Sequence, residues 1–84
     1  MIYTVHILRL AQRQLAQINP QDRTRIIAAV RALSDTPRPP GCKKLSGRRA
    51  WRIRVGKYRA IYEIHDDRLL VLVVAVGHRK EVYR

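Results

Sequence analysis

Acidic residues are scarce in this chain. Six Asp and Glu stand against eighteen Lys and Arg among 84 residues, a formal charge of +12. Solubility needs far less imbalance, and self-repulsion works against a compact state that has no partner. The composition therefore asks for a polyanion: nucleic acid, an anionic membrane or an acidic protein, of which the first and last can use one surface in turn. Cysteine is scarcer still. The single residue, Cys42, closes no intramolecular disulfide. With no CxxC pair and no Cys/His cluster, zinc-binding spacing is absent too. These features suit a reducing cytoplasm and a protein without metal or cofactor. Long apolar runs are also missing. The longest, Leu69 to Val76, is too short to span a bilayer, and Arg9 and Arg13 stand where a signal peptide would be apolar. No membrane association is expected. A chain of this length supports one modest core, so a single domain over 1–84 is expected.

What is present falls into a clear order. Ile2 to Ile7 alternates apolar and polar, with β-branched and aromatic members, as a short first strand does. Leu8, Ala11, Leu15 and Ile18 then recur at helical spacing. Asn19-Pro20 ends that helix and starts another: Asn19 can cap, Pro20 suits the first turn, and Asp22 favours the positive helix end. Ile26, Ile27, Val30 and Leu33 form the second apolar stripe. The short connection predicts an antiparallel helical hairpin whose apolar face needs a flat apolar surface to cover.

Pro37, Pro39, Pro40 and Gly41 break the helical pattern and open a basic, solvated loop to about Ala50. In the next segment Trp51, Ile53 and Val55 alternate with Arg52 and Arg54, so a period of two puts the apolar residues on one face and both arginines on the other. Gly56-Lys57 reads as a tight turn, Tyr58 to His65 as a strand, and Asp66-Asp67 as another turn. Leu69 to Val76 is apolar throughout, the pattern of a central strand covered on both sides. The expected architecture is α+β, in the order β-α-α-β-β-β. It is a four-stranded, mainly antiparallel sheet with the helical hairpin on one face and the arginines on the other.

Between Arg38 and Arg59 lie nine basic residues and no acidic one. A solvated charged face normally mixes signs, so this stretch points to polyanion contact. Arg52, Arg54 and Arg59 straddle the Gly56 turn, and strands about 4.8 Å apart bring their guanidiniums together. A phosphate would relieve that crowding. Lys43, Lys44, Arg48, Arg49 and Lys57 are expected to contribute to the same nucleic-acid or polyanion contact. After the last strand come His78, Arg79 and Tyr83. Such a set can cut RNA without metal: the 2′-hydroxyl attacks the adjacent phosphate, and arginines stabilise the charge that develops on its oxygens. Tyr83 suits stacking on an unpaired base, or packing on the sheet. Glu63 reads as an exposed strand residue, and His6 and His65 have no companions in the sequence. Cys42 has no identifiable histidine partner that would make it a nucleophile.

The run Trp-Arg-Ile-Arg-Val-Gly-Lys-Tyr-Arg-Ala-Ile-Tyr-Glu-Ile at 51–64, with Val-Gly-His-Arg-Lys-Glu-Val-Tyr at 76–83, resembles the RelE branch of the RelE/ParE toxin superfamily of type II toxin–antitoxin systems. The resemblance extends over essentially the whole chain, including Lys-Lys-Leu-Ser-Gly at 43–47. It implies a ribosome-dependent endonuclease that cuts mRNA in the ribosomal A site, leaving a 2′,3′-cyclic phosphate and a 5′-hydroxyl, with no metal ion. It also implies an acidic, RelB-like antitoxin, contacts with ribosomal RNA, and operator DNA reached only through the antitoxin. By motif, Arg52 and Arg54 fill the two basic positions of the second strand. Arg59 fits the transition-state stabiliser, Arg79 the general acid or leaving-group stabiliser, and Tyr83 the residue that stacks on the substrate. The family pattern has lysines where this chain has Arg52 and Arg54. Arginine keeps its proton too firmly to act as an ordinary general base; His78 is a candidate acid or base, or a surface or strand-end histidine.

Two other functions fit parts of the pattern. A ParE-like toxin would use the same fold to poison DNA gyrase, typically without the catalytic residues on the sheet. A basic module could bind RNA or an acidic protein with the arginines as counterions alone, and its mutations would give additive, salt-sensitive losses.

Overall fold

The structure is a computed structural model, and it describes residues 2–78. The elements are β1 (Thr4–Ile7), α1 (Arg9–Ala16), α2 (Pro20–Ala32), β2 (Lys43–Lys44), β3 (Trp51–Val55), β4 (Tyr58–His65) and β5 (Leu70–His78), with a 3-10 turn at Asp66–Arg68 before β5. The strands form one sheet in the order β1-β5-β4-β3-β2. β1 runs parallel to β5, and the other three pairings are antiparallel. The α+β class and the helix pair on one face are as the sequence reads. The strand count is five and not four. Residues 43–44 of the expected loop pair with β3 (Lys43 opposite Arg52, Lys44 opposite Trp51). A two-residue strand has no periodicity to read, and exposed lysines are what an edge strand carries.

The helix junction follows its local chemistry. The Asn19 side chain accepts from the Asp22 backbone N–H at 2.9 Å and donates to the Asp22 carboxylate at 2.8 Å, and Pro20 occupies the first turn. Arg23 supplies a link the periodicity does not reveal. Its guanidinium donates to the carbonyls of Leu15, Ala16 and Ile18, satisfying the orphan acceptors at the end of α1. Ala11, Leu15 and Ile18 of the first stripe and Ile26, Val30 and Leu33 of the second are buried. Leu8, counted in the first stripe, is exposed, as is Leu10; Leu8 is the N-cap of α1 and stands before its first turn.

The core lies between the helices and one sheet face. It joins those helix residues to Ile53, Ala60, Tyr62, Val71, Val73 and Val76, with Val5, Ile7, Trp51, Val55 and Tyr58 packed around it. The β3–β4 turn places Gly56 at φ 60°, a conformation glycine adopts without steric cost. Leu69 is also left-handed, at φ 50°, which starts β5 at Leu70.

β5 departs from expectation in two ways. The helices cover only one of its faces, so Leu70, Leu72 and Ala75 on the other are half-buried. Its interior place in the strand order explains the apolar run without a second covering layer. The β4–β5 register also shifts between Ile61 and Tyr62, which pair with Ala75 and Val73 and leave Val74 as a bulge. A bulge changes the phase of the side-chain alternation. Val71 and Val73 point into the core, and beyond the bulge it is Val76, not Ala75, that is buried. The backbone N–H of Val76 lies past the end of β1 and donates to the Gln14 side chain of α1 at 2.7 Å, so the free edge of β5 is capped by a helix.

Candidate functional site

The sheet face not covered by the helices carries the arginines. Arg54 lies directly opposite Arg59 across β3 and β4, and Arg52 lies opposite Ile61. Directly opposed residues have Cα atoms about 4.5–5.5 Å apart, so two guanidiniums start from neighbouring backbone positions on the same face. Arg54 is exposed and Arg59 half-buried. Arg52 is only 6% exposed, which alternation alone did not anticipate. The three therefore form a cationic strip that runs from the Gly56 turn toward the sheet centre, with Lys57 exposed at the tip of that turn.

The basic loop meets the same strip at the β2–β3 edge. Lys43, Lys44, Leu45, Ser46, Arg48 and Arg52 line one concavity, and Lys44, Arg48 and Arg49 share a shallower one around Gly47. The loop is closed by backbone bonds from Leu45 N–H to the Ala50 carbonyl at 2.8 Å and from Arg48 N–H to the Leu45 carbonyl at 3.3 Å. Among the described residues no group of three or more His, Cys, Asp or Glu is arranged to hold a metal ion.

His78 is not on this face. It lies opposite Tyr58, their rings meeting edge to face at 6.2 Å. It lines a pocket with Gln14, Gln17, Ile18 and Tyr58 on the helix-covered side. The residue opposite Arg59 is Gly77. The Val74 bulge is the cause: continued from Val71 and Val73, an unbroken period of two would have put residue 78 on the arginine face. Arg79 and Tyr83, expected at the same site, lie outside the described residues.

Other polar pairs were not legible in the sequence. Glu63 and His65, two residues apart on β4 and so on one face, approach at 3.0 Å. They give the open face its acidic boundary beyond Ile61. At the far end of β4, Asp66 accepts from the Tyr3 hydroxyl at 2.6 Å and pairs with Arg38 at 2.9 Å. The Arg38 guanidinium and the Tyr3 hydroxyl hold the Asp66 carboxyl below the usual carboxylate range. Arg38 also sits 5.1 Å from the Trp51 ring centre, a cation–π contact. The neighbouring Tyr62 hydroxyl donates to the Pro37 carbonyl at 2.8 Å, and burial pushes its pKa well above the ordinary phenol value. This cluster fastens the proline-rich segment to the sheet.

Residues 5–83 match the family described as the ParE toxin of the type II toxin–antitoxin system parDE. Toxin RelG of Mycobacterium tuberculosis is 35% identical over 92 aligned positions, covering 100% of this chain and 99% of the relative. Among solved structures, a RelBE toxin–antitoxin complex from Mycobacterium tuberculosis superposes with a TM-score of 0.83 at 28% identity, covering 94% of this chain and 100% of the other. The archaeal RelE–RelB complex from Pyrococcus horikoshii gives a TM-score of 0.85 at 23% identity, covering 96% and 99%, a likeness of fold.

Proposed function

The chain belongs to the RelE/ParE superfamily of type II toxin–antitoxin toxins, and from that premise we propose that it is an mRNA endonuclease acting in the ribosomal A site. The observation that carries this reading is the cross-strand pair Arg54–Arg59 on the open sheet face, continued by Arg52. A phosphate between these guanidiniums would receive bidentate, charge-assisted hydrogen bonds. The RNA 2′-oxygen attacks that phosphorus, the bond to the 5′-oxygen breaks, and the products are a 2′,3′-cyclic phosphate and a 5′-hydroxyl. Arginines that bind the developing oxyanion more tightly than the ground-state phosphate lower the barrier. The guanidiniums keep their charge throughout, so proton transfer falls to other groups. Arg79, at the position for leaving-group stabilisation, and Tyr83, at the position for base stacking, complete the set by motif.

The formal charge of +12 supports two partners used in turn: mRNA with ribosomal RNA, contacted through Lys43, Lys44, Arg48, Arg49 and Lys57, and an acidic, RelB-like antitoxin that covers the same cations. Operator DNA would be reached through the antitoxin. No described helix is long and apolar enough to cross a membrane, and a cytoplasmic site of action is part of the proposal.

The ParE description of the matched family favours a second reading, in which this fold poisons DNA gyrase. One experiment separates them. Purified protein is incubated with mRNA-programmed ribosomes and the RNA ends are mapped by primer extension, in parallel with a gyrase supercoiling assay. Cleavage within the A-site codon is the expected result. Intact message together with inhibited supercoiling would overturn the endonuclease reading.

A further inference from the structure

The pocket beside His78 is chemically unlike the rest of this cationic chain. Its cavity of about 360 Å³ presents the polar side chains of Gln14, Gln17, Tyr58 and His78, and buried Ile18 and Val76 give it an apolar part. No Lys, Arg, Asp or Glu lines it. A site for a phosphate or for an acidic partner's carboxylate would carry cations, so this lining selects a neutral ligand. A purely apolar ligand fits no better. The Gln17 carboxamide, the Tyr58 hydroxyl and the His78 ring have no hydrogen-bond partner among the described residues, and an apolar cover would desolvate them unpaired. The Gln14 carboxamide is already oriented: its oxygen accepts from the Val76 N–H at 2.7 Å, which leaves its NH2 as a fixed donor. Tyr58 and His78 meet edge to face at 6.2 Å and offer aromatic surface of the kind on which unpaired bases stack. Neutrality, aromatic rings, unused donors and acceptors and a volume at the lower end of small-molecule sites together describe a holder for one nucleobase.

Its position ties it to the arginine pair. Gly77, which also lines the pocket, stands directly opposite Arg59, with Cα atoms about 4.5–5.5 Å apart. β1 pairs with β5 only as far as Val73, so no described strand flanks residues 76–78 on the β1 side, and Gly77 adds no side chain there. An RNA strand gripped at Arg54 and Arg59 can cross this edge and lower a base into the pocket.

We propose that Gln14, Gln17, Tyr58 and His78 form a binding pocket for one unpaired nucleobase of single-stranded RNA, carried by a nucleotide that adjoins the phosphate between Arg54 and Arg59. This rests on the open face being an RNA site. The arginines hold the backbone whatever its sequence, whereas the pocket contacts a base edge and so contributes preference for the nucleotides at which the message is cut.

Two variants alter the pocket and spare the core. Gln17 is exposed, so Gln17→Ala removes a carboxamide without opening a cavity. Gln14→Glu keeps an acceptor for the Val76 N–H and replaces the donor NH2 with a carboxylate oxygen. Binding is measured to a single-stranded RNA made uncleavable by a 2′-deoxy substitution, and to two versions with an abasic residue on one or the other side of that position. Each variant weakens binding of the intact RNA about fivefold, the loss expected for one neutral hydrogen bond, and one abasic RNA binds the wild type about tenfold more weakly. With that abasic RNA, Gln17→Ala costs nothing further, because both changes delete the same contact. By NMR the intact RNA moves the Gln14 and Gln17 side-chain NH2 signals, and the same abasic RNA leaves them in place while the Arg54 Nε–H still responds. Additive losses from Gln17→Ala and either abasic residue, or an RNA that leaves the Gln17 signal unmoved, would sink the base pocket; cleavage on programmed ribosomes in that case keeps the endonuclease reading. Movement of the Gln17 signal with oligoglutamate but not with RNA also rejects it, giving the cavity to a partner peptide. Intact message on programmed ribosomes, with the coupling between Gln17 and the abasic position preserved, would remove the endonuclease reading and keep the pocket.

Discussion

The two faces of the sheet are built by the same strands and serve opposite ends. On the helix-covered face Tyr62, Val71, Val73 and Val76 are fully buried against Ile26, Val30 and Leu33, and burial there supplies the stability. The face the helices leave uncovered carries exposed Arg54 and half-buried Arg59, then buried Arg52 and Ile61, then the Glu63–His65 pair, with half-buried Leu70 and Leu72 beside them. Like charges gathered on one face add nothing to the stability of an isolated domain. Their cost is tolerated because the other face carries the fold. The proposed function thus falls on the face the helices leave uncovered, and each face should answer to mutation in its own measurement.

The largest expected effect is on the covered face. Tyr62→Ala empties a fully buried position and removes the hydroxyl bond to Pro37; it should destabilise the protein by about 3–5 kcal/mol in urea unfolding. On the open face, Arg54→Ala should lower the rate of message cleavage on programmed ribosomes by about 10²–10³-fold. Because Arg54 is exposed, unfolding free energy should change by no more than about 0.5 kcal/mol. A loss of stability matching the loss of activity would break the division between the faces. Asn19→Ala removes the cap of α2 and should cost about 1 kcal/mol, with cleavage by the folded protein unchanged.

The smallest effect is a pH dependence. Asp66 has a folded-state pKa held below its unfolded value by Arg38 and Tyr3. Its contribution is therefore complete above the unfolded carboxylate pKa and is lost as pH falls through the lower, folded one. Urea midpoints measured from neutral to acidic pH should fall less steeply for Asp66→Asn than for the wild type. Parallel curves would show that the Tyr3–Asp66–Arg38 cluster gives no pH-dependent support.

The sequence by itself determined the helix junction at Asn19-Pro20, the alternation that sends Arg52 and Arg54 away from Trp51, Ile53 and Val55, and the turn at Gly56. All three rest on local rules: capping, a period of two, and glycine's freedom at positive φ. The juxtaposition of Arg54 and Arg59 was legible for the same reason, since a tight turn fixes the register of its own hairpin. What only the tertiary structure decided lies farther apart in the chain. The β5 bulge is a property of pairing with β4, and it carries His78 to the helix side, away from Arg59. The two-residue strand at Lys43–Lys44 exists only because β3 offers an edge. Arg38, Tyr3 and Asp66 are drawn from three separate segments. The burial of Arg52 and Ile61 on the face the helices leave uncovered is likewise outside what alternation can say. Periodicity says which way a side chain points; register and packing decide what it meets there.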